Sequence, residues 1–174
     1  NLDASPDLNA YTDVYQHDLS TGQTSRISTT TLALETNGDS TLPVISADGA
    51  VIAYRSEASN LISLDTNNAA DVFIRDNGGT ERVSVTNLGA EADSWSGQLF
   101  AIDLTGDGQQ VLFGSAATNL VVGDTNGWPD IFVRDRVAGT TERVNLSTTG
   151  VEGDKSSRSG TISADGNVIA YDSA

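Results

Sequence analysis

Short runs of alternating apolar and polar residues, separated by turn-forming residues, cover almost the whole chain. In one complete unit, four such runs follow one another between residues 43 and 86: PVISA, VIAYRS, DVFIRD and ERVSVT. Alternation with a period of two predicts β-strands, and no segment shows the sustained 3.6-residue period of a helix. The pattern therefore predicts an all-β fold built from four-stranded antiparallel units.

The unit repeats along the chain with a period of about 58 residues. Three landmarks recur in phase: Asp13, Asp71 and Asp130 open the third strand, Asp48-Gly49, Asp107-Gly108 and Asp165-Gly166 lie between the first two strands, and Arg26, Arg82 and Arg143 lie in the fourth. Asp-Gly between apolar runs is a strong hairpin signal, because both residues accept positive φ. Four strands per repeat are typical of β-propeller blades, which bury their faces by stacking.

We interpret residues 1–174 as a single propeller unit of about three blades. The repeats are an outer half-blade at residues 1–41, complete blades at 42–93 and 94–153, and an inner half-blade at 154–174. Three blades do not close a ring, because ordinary propellers have about four to eight. Two interpretations stay open. The chain is a fragment of a longer propeller, or two copies self-associate into a six-bladed ring in which the half-blades complete each other.

Three segments, SADGAVIAYRSEASNL, DTNNAADVFIRD and TERVSVT, resemble the WD40-like β-propeller repeats of the TolB type that occur in exported bacterial proteins. The resemblance extends over nearly the whole chain. It implies a propeller fold and a secreted, periplasmic or cell-surface location. The repeat is longer than the roughly 40–45 residues of common WD-type blades. The additional residues lie in loops, where binding residues often occur.

The composition argues against several classes of partner and against catalysis. A net charge of −15 and a pI near 4.1 argue against nucleic acid and anionic membranes as partners. No apolar run approaches the roughly 20 residues that a membrane-spanning helix needs, so membrane insertion is not expected. The chain has no cysteine and no recognisable catalytic motif, so we predict that it is not an enzyme. A glycan-active enzyme with paired carboxylates is a less favoured alternative.

The loop before each third strand has the pattern Asp-x-Asn-x-x-x-Asp. Its residues are Asp7, Asn9 and Asp13; Asp65, Asn67 and Asp71; and Asp124, Asn126 and Asp130. Calcium takes six to eight oxygen ligands, and alternate residues of a tight loop project theirs to one side. The same residues also form Asx turns without a metal. Calcium sites and structural turns therefore both stay open.

Two further groups of residues invite interpretation. Trp95 and Trp128 lie in polar loops, where they either bind a sugar or a protein surface or pack against the adjacent blade. Arg75 and Arg134 lie in third strands, and blade stacking predicts that each pairs with a carboxylate, with His17 at the equivalent place in the first repeat.

The sequence as a whole favours a non-catalytic extracellular β-propeller module that binds a protein or carbohydrate ligand, with loops stiffened by calcium. The alternative is a structural subunit that self-assembles in a surface or extracellular assembly.

Overall fold

The computed structural model describes residue 2, residues 7–98 and residues 102–174, so the beginning of the predicted first half-blade lies outside the described residues. Twelve antiparallel β-strands and no helix occur in these ranges. The strands are β1 (Tyr15–Asp18), β2 (Gln23–Arg26), β3 (Ser40–Ile45), β4 (Ile52–Ser56), β5 (Asp71–Asp76), β6 (Gly79–Arg82), β7 (Ile102–Leu104), β8 (Gln110–Ser115), β9 (Asp130–Asp135), β10 (Thr140–Arg143), β11 (Ser157–Ile162) and β12 (Ile169–Ser173). The prediction of an all-β fold is confirmed, and no described segment could cross a membrane as a helix.

The strands form two complete and two incomplete sheets. Strands β3-β4-β5-β6 and β7-β8-β9-β10 are four-stranded meanders, whereas β1-β2 and β11-β12 are two-stranded. One meander per repeat is the architecture of a propeller blade, so the predicted fold class, four-stranded propeller blades, is confirmed. By sequence motif, β1-β2 corresponds to the outer pair β5-β6, and β11-β12 corresponds to the inner pair β3-β4.

Apolar side chains fill the spaces between neighbouring sheets. Successive residues of β4 point to opposite neighbours: Ala53 packs towards the second complete blade, and Tyr54 packs towards Val14 of the first half-blade. On the far side of the second blade, Leu112 packs against Ile162 of the last half-blade. Burial of one large apolar side chain stabilises a fold by about 1.5–3 kcal/mol. Stacking therefore makes the four sheets one unit.

The hairpin between the first two strands of each blade is longer than the predicted two-residue turn. The Gly49 N–H donates to the Ser46 carbonyl at 2.9 Å, so Asp48 is the third residue of the turn and Gly49 the fourth. Only the glycine has positive φ, at 74°. A turn followed by a left-handed glycine is the usual geometry of such a hairpin. The Asp48 side chain instead accepts hydrogen bonds from Ser46 and Ala50.

The fourth strand ends earlier than predicted, because a side chain replaces the backbone ladder. Strand β6 ends at Arg82, although the apolar alternation continues through Val85. The Val72 N–H donates to the Ser84 hydroxyl at 3.1 Å, and the Ser84 hydroxyl donates to Asp71 at 2.6 Å. Regular pairing between β5 and β6 therefore ends beside Asp71, where the acidic loop joins β5.

The meander divides the connections between two edges of the molecule. The hairpins β1–β2, β3–β4, β5–β6, β7–β8, β9–β10 and β11–β12 lie on what we call the hairpin edge. Residues 7–14 before β1 and the described residues of the connections β2–β3, β4–β5, β6–β7, β8–β9 and β10–β11 lie on the opposite side, which we call the loop edge. All three acidic loops belong to the loop edge.

Candidate functional site: carboxylate clusters and the loop edge

An arginine from the fourth strand lies among the carboxylates of the acidic loop. Nη1 of Arg82 is 2.9 Å from Oδ2 of Asp71, 2.7 Å from Oε2 of Glu91 and 3.9 Å from Oδ1 of Asp65. Its Nη2 donates to the Leu64 carbonyl at 2.8 Å. The guanidinium therefore connects the loop before β5 with the loop after β6.

Most of this cluster is buried. The side chains of Asp71, Asp65 and Arg82 are 0%, 3% and 5% exposed, respectively, and that of Glu91 is 20% exposed. A buried charge is tolerated only when it is paired and hydrogen-bonded. Each carboxylate therefore depends on Arg82 or on a neighbouring polar group, such as the Thr66 hydroxyl that donates to Glu91.

The same arrangement recurs in the other two repeats. Nη1 of Arg143 is 2.9 Å from Asp130, 2.9 Å from Glu152 and 3.3 Å from Asp124. In the first repeat, Nη1 of Arg26 contacts Asp13 at 3.1 Å, Glu35 at 3.1 Å and Asp7 at 3.9 Å. The side chains of Asp7 and Glu35 are both 30% exposed, so the first cluster is the most open.

Burial and hydrogen bonding shift the pKa values of these carboxyls in opposite directions. Burial raises the pKa of Asp65 and of Asp71, and the nearby Arg82 offsets only part of that effect. Burial acts in the same sense on Glu91, but hydrogen bonds from Thr66 and Arg82 outweigh it and lower its pKa. Burial therefore makes the charged form of Asp65 and of Asp71 less favourable than it is in water.

The loop asparagines form Asx turns. Asn67 Oδ1 accepts the Ala69 N–H at 2.8 Å, and Asn67 Nδ2 donates to the Ala92 carbonyl at 2.9 Å. Asn9 and Asn126 make the same pair of contacts, with Tyr11 N–H and Thr36 carbonyl, and with Trp128 N–H and Gly153 carbonyl. The structure therefore brings the predicted aspartates together with a glutamate, whereas the asparagine oxygens bind the backbone.

Three carboxylates could in principle hold a cation. One oxygen each from Asp65, Asp71 and Glu91 lies within 4.8 Å of the others. However, the Arg82 guanidinium already contacts all three and supplies a positive charge. A calcium ion would therefore have to displace Arg82, and calcium binding here stays a prediction.

The residues that sequence reasoning missed are the arginine and the glutamate of each cluster. Arg26, Arg82 and Arg143 had served only as markers of the repeat, and Glu35, Glu91 and Glu152 had no assigned role. A signal was available, because each arginine precedes its glutamate by nine residues. The recurrence of an arginine and a glutamate in all three repeats was therefore visible in the sequence, although their contact was not.

The predicted ion pairs of the third strand are wrong within the described residues. Arg75 donates to the Thr80 hydroxyl at 3.0 Å. Arg134 donates to the Thr141 hydroxyl at 3.2 Å and to backbone carbonyls, and no salt bridge of either arginine is found in that part of the chain. His17 contacts Thr24 in the equivalent way. The neighbouring strand offers a threonine instead of a carboxylate.

The two tryptophans differ in exposure. Trp128 is 49% exposed on the loop edge, and Tyr11 occupies the equivalent position of the first repeat and is also exposed. Trp95 is half-buried, and its carbonyl accepts hydrogen bonds from the Ser115 hydroxyl and the Ala116 N–H. Trp128 therefore presents the larger free surface.

Most of the large apolar side chains that are exposed in the described residues lie on the loop edge, which also has the longer connections. Ten of the sixteen lie there. They are Leu8, Tyr11, Leu32, Leu34, Leu64, Leu88, Val122, Trp128, Leu146 and Val151. The loop edge thus carries exposed apolar side chains as well as the acidic clusters.

No protein-family model matches the chain, and no curated protein matches it. Among solved structures, TolB from Acinetobacter baumannii is 26% identical, with a TM-score of 0.48 and coverage of 91% of this chain and 31% of that chain. A TolB-type protein from Agrobacterium tumefaciens is 18% identical, with a TM-score of 0.47 and coverage of 93% and 51%. The chain thus spans about a third to a half of these proteins. Both are TolB proteins, the type that the sequence motifs resemble.

Proposed function

We propose that this chain is a non-catalytic, exported β-propeller module that binds a protein partner through its loop edge. The observation that carries the proposal is the exposure of the aromatic side chains Trp128 and Tyr11 at equivalent positions of that edge. Exposed aromatic residues are enriched at protein interfaces, where they supply much of the binding energy. The exported location follows from the resemblance of the repeats to those of exported proteins.

The chemistry of the loop edge suits a protein ligand. Trp128 and Tyr11 are exposed aromatic residues at equivalent positions, and Leu64 and Leu88 are exposed in the connections before β5 and after β6 of the first complete blade. Aromatic anchors surrounded by smaller apolar and polar groups are typical of protein–protein interfaces. A carbohydrate that stacks on Trp128 is the alternative ligand of the same surface.

The carboxylate clusters support a non-catalytic role. A glycan-active enzyme needs two carboxyl groups that both face the substrate. In the second repeat, Asp65 and Asp71 face Arg82 and are almost completely buried. We therefore propose that these aspartates shape the loops and do not act as an acid and a base.

Calcium remains part of the proposal as a means of stiffening the loops. Its test is a thermal melt with and without a chelator, because a cation that binds only the folded protein raises the melting midpoint. An unchanged midpoint would remove calcium from the proposal and leave the arginine as the sole positive group in each cluster.

The binding proposal is tested with edge-specific variants. Biotinylated protein is used to capture partners from a cell-envelope extract, and the captured protein is then purified and its affinity measured. We expect Leu88→Asp to weaken binding at least tenfold, whereas Val137→Asp, an equally drastic change at an exposed valine of the hairpin edge, leaves it unchanged. Equal binding by both variants contradicts a role for the loop edge. A glycan array on which Trp128→Ala abolishes binding would instead favour carbohydrate.

A further inference from the structure

We propose that a groove between the two complete blades binds a carboxylate of the protein partner, and that this carboxylate pairs with Arg134. The inference rests on the protein-binding role proposed above and names the chemistry that the partner supplies. Every residue that lines the groove belongs to one of the two four-stranded blades or to the connections around them. The groove has a volume of about 620 Å³, and ligand sites commonly have about 300–1,000 Å³.

The walls of the groove are mostly apolar. Ile62 and Leu64 come from the β4–β5 connection, and Val85 and Ala90 come from the β6–β7 connection. Strand β6 forms a further side. The Leu64 side chain is 83% exposed, so a ligand that covers it with apolar atoms removes apolar surface from water. The walls therefore favour a ligand with apolar side chains.

Arg134 on β9 also lines the groove, and it uses only one nitrogen of its guanidinium. Nη1 donates to the Gly139 carbonyl at 2.9 Å, to the Thr141 hydroxyl at 3.2 Å and to the Thr86 carbonyl at 3.4 Å. In the part of the chain that the structure describes, Nε and Nη2 donate no hydrogen bond, and Nε is buried. Nε–H and Nη2–H lie on the same side of a guanidinium and form the fork that a carboxylate accepts.

The charge of Arg134 lacks an opposite charge within the described residues. Arg134 is only 9% exposed, and all of its hydrogen-bond acceptors are neutral. A buried charge is favourable only when it is paired, and a buried donor without an acceptor costs free energy. A carboxylate in the groove supplies both the opposite charge and the missing acceptors.

The two glutamates that line the groove already have arginine partners. Glu91 is 2.7 Å from Nη1 of Arg82, and Glu81 is 3.5 Å from Nε of Arg136. They therefore leave the charge of Arg134 for a ligand. The net charge of −15 nevertheless repels a strongly acidic partner. The ligand that fits is a single carboxylate flanked by apolar side chains, and not a run of acidic residues.

The carboxylate cluster holds one wall of the groove in place. Leu64 has a φ of 64°, which is uncommon for a bulky residue and persists only where the surrounding structure determines it. The Leu64 carbonyl accepts a hydrogen bond from Nη2 of Arg82 at 2.8 Å. Arg82 is in turn held by Asp71 and Glu91. The cluster thus positions Leu64 at the groove before a ligand binds.

The chemistry of the ligand is tested by selecting short random peptides, displayed on phage, that bind the full chain. We expect the selected peptides to share one Asp or Glu flanked by apolar residues. Changing that residue to its amide should weaken binding at least tenfold, measured by titration calorimetry, and this change cannot disturb the fold of the chain. Selected peptides without a shared acidic residue, or a selection that yields no binding peptide, overturn the proposal.

Variants of Arg134 test where the peptide carboxylate binds. Arg134→Gln should weaken peptide binding at least tenfold, and Arg134→Lys, which keeps the charge but not the fork, should weaken it less. Arg158→Gln is the matched control, because it removes the same charge from β11, which contributes no residue to the groove. Equal peptide affinity of Arg134→Gln and Arg158→Gln overturns the proposal. If Arg134→Gln does not fold, the NMR signal of the Arg134 Nε–H in the unchanged chain decides, because it should shift when the peptide binds, and an unshifted signal overturns the site.

The captured protein partner separates this inference from the proposed function on which it rests. Its binding should be weakened by Leu88→Asp and by Arg134→Gln, and left unchanged by Arg158→Gln. If Leu88→Asp weakens binding of the partner but Arg134→Gln does not, loop-edge binding stands and the carboxylate site is overturned. If neither variant weakens it, the loop-edge role fails as well.

Discussion

Replacing Arg82 by Met tests the carboxylate cluster most directly. The substitution removes the guanidinium and keeps an unbranched chain of similar length in its place. Asp71 then loses a contact of 2.9 Å and Glu91 a contact of 2.7 Å. Asp71 keeps the hydrogen bond from Ser84, so the loop retains part of its support.

The expected cost is large because the aspartates cannot reach water. Asp71 is 0% exposed and Asp65 is 3% exposed. Removing one partner of a buried ion pair costs about 3–5 kcal/mol. Since domains are stable by about 5–15 kcal/mol, this is a large share of the whole. At about 2–4 °C per kcal/mol for a chain of this size, the melting midpoint should fall by about 6–20 °C.

The deficit should depend on pH in a defined direction. Burial raises the pKa of Asp65 and Asp71 above the usual value of 3.8. A carboxyl with a raised pKa in the folded state contributes stability that is complete below its unfolded pKa and is lost as pH rises through the folded pKa. Arg82 lowers both pKa values, so its removal raises them further. The deficit is therefore largest at neutral pH and shrinks as pH falls towards 4.

The assay is urea unfolding followed by circular dichroism, at equal protein concentration and at pH 7 and pH 4.5. Glu57→Gln is the control, because it breaks an ion pair with Arg55 in which Glu57 is 51% exposed. An exposed pair of this kind contributes less than about 1 kcal/mol. If Arg82→Met costs no more than Glu57→Gln, or costs equally much at both pH values, the cluster does not stabilise the fold as described.

Three further predictions follow from separate features of the molecule. If calcium stiffens the loops, a chelator lowers the melting midpoint of the unchanged chain, and an unchanged midpoint contradicts the prediction. Gly108→Ala should destabilise the fold by about 1–3 kcal/mol more than Gly22→Ala, measured by urea unfolding, because both have positive φ but only Gly108 contacts Val51. Trp128→Ala should change stability by less than about 0.5 kcal/mol but abolish partner binding; a large loss of stability instead would show that Trp128 supports the fold.

Much of the fold could be predicted from local patterns. The alternation of DVFIRD predicts a strand over residues 71–76, and β5 has those bounds. The Asp48-Gly49 pair predicts a hairpin, and the glycine has the positive φ that the turn requires. Both features depend on residues close together in the chain, where side-chain direction and backbone preference act without help from distant segments. The exact turn differed because the flanking Ser46 competes for the backbone N–H groups.

The candidate site depended on tertiary structure. Arg82 ends one strand, Asp71 begins another, and Glu91 lies in the connection to the next blade. Pairing of β5 with β6 brings Arg82 beside Asp71, and the path of the following loop brings Glu91 to the same guanidinium. The sequence determined the repeated strands and the supply of carboxylates. Only folding decided that an arginine lies among them, because the nearest partner of a buried charge is set by distance in space and by exclusion of water.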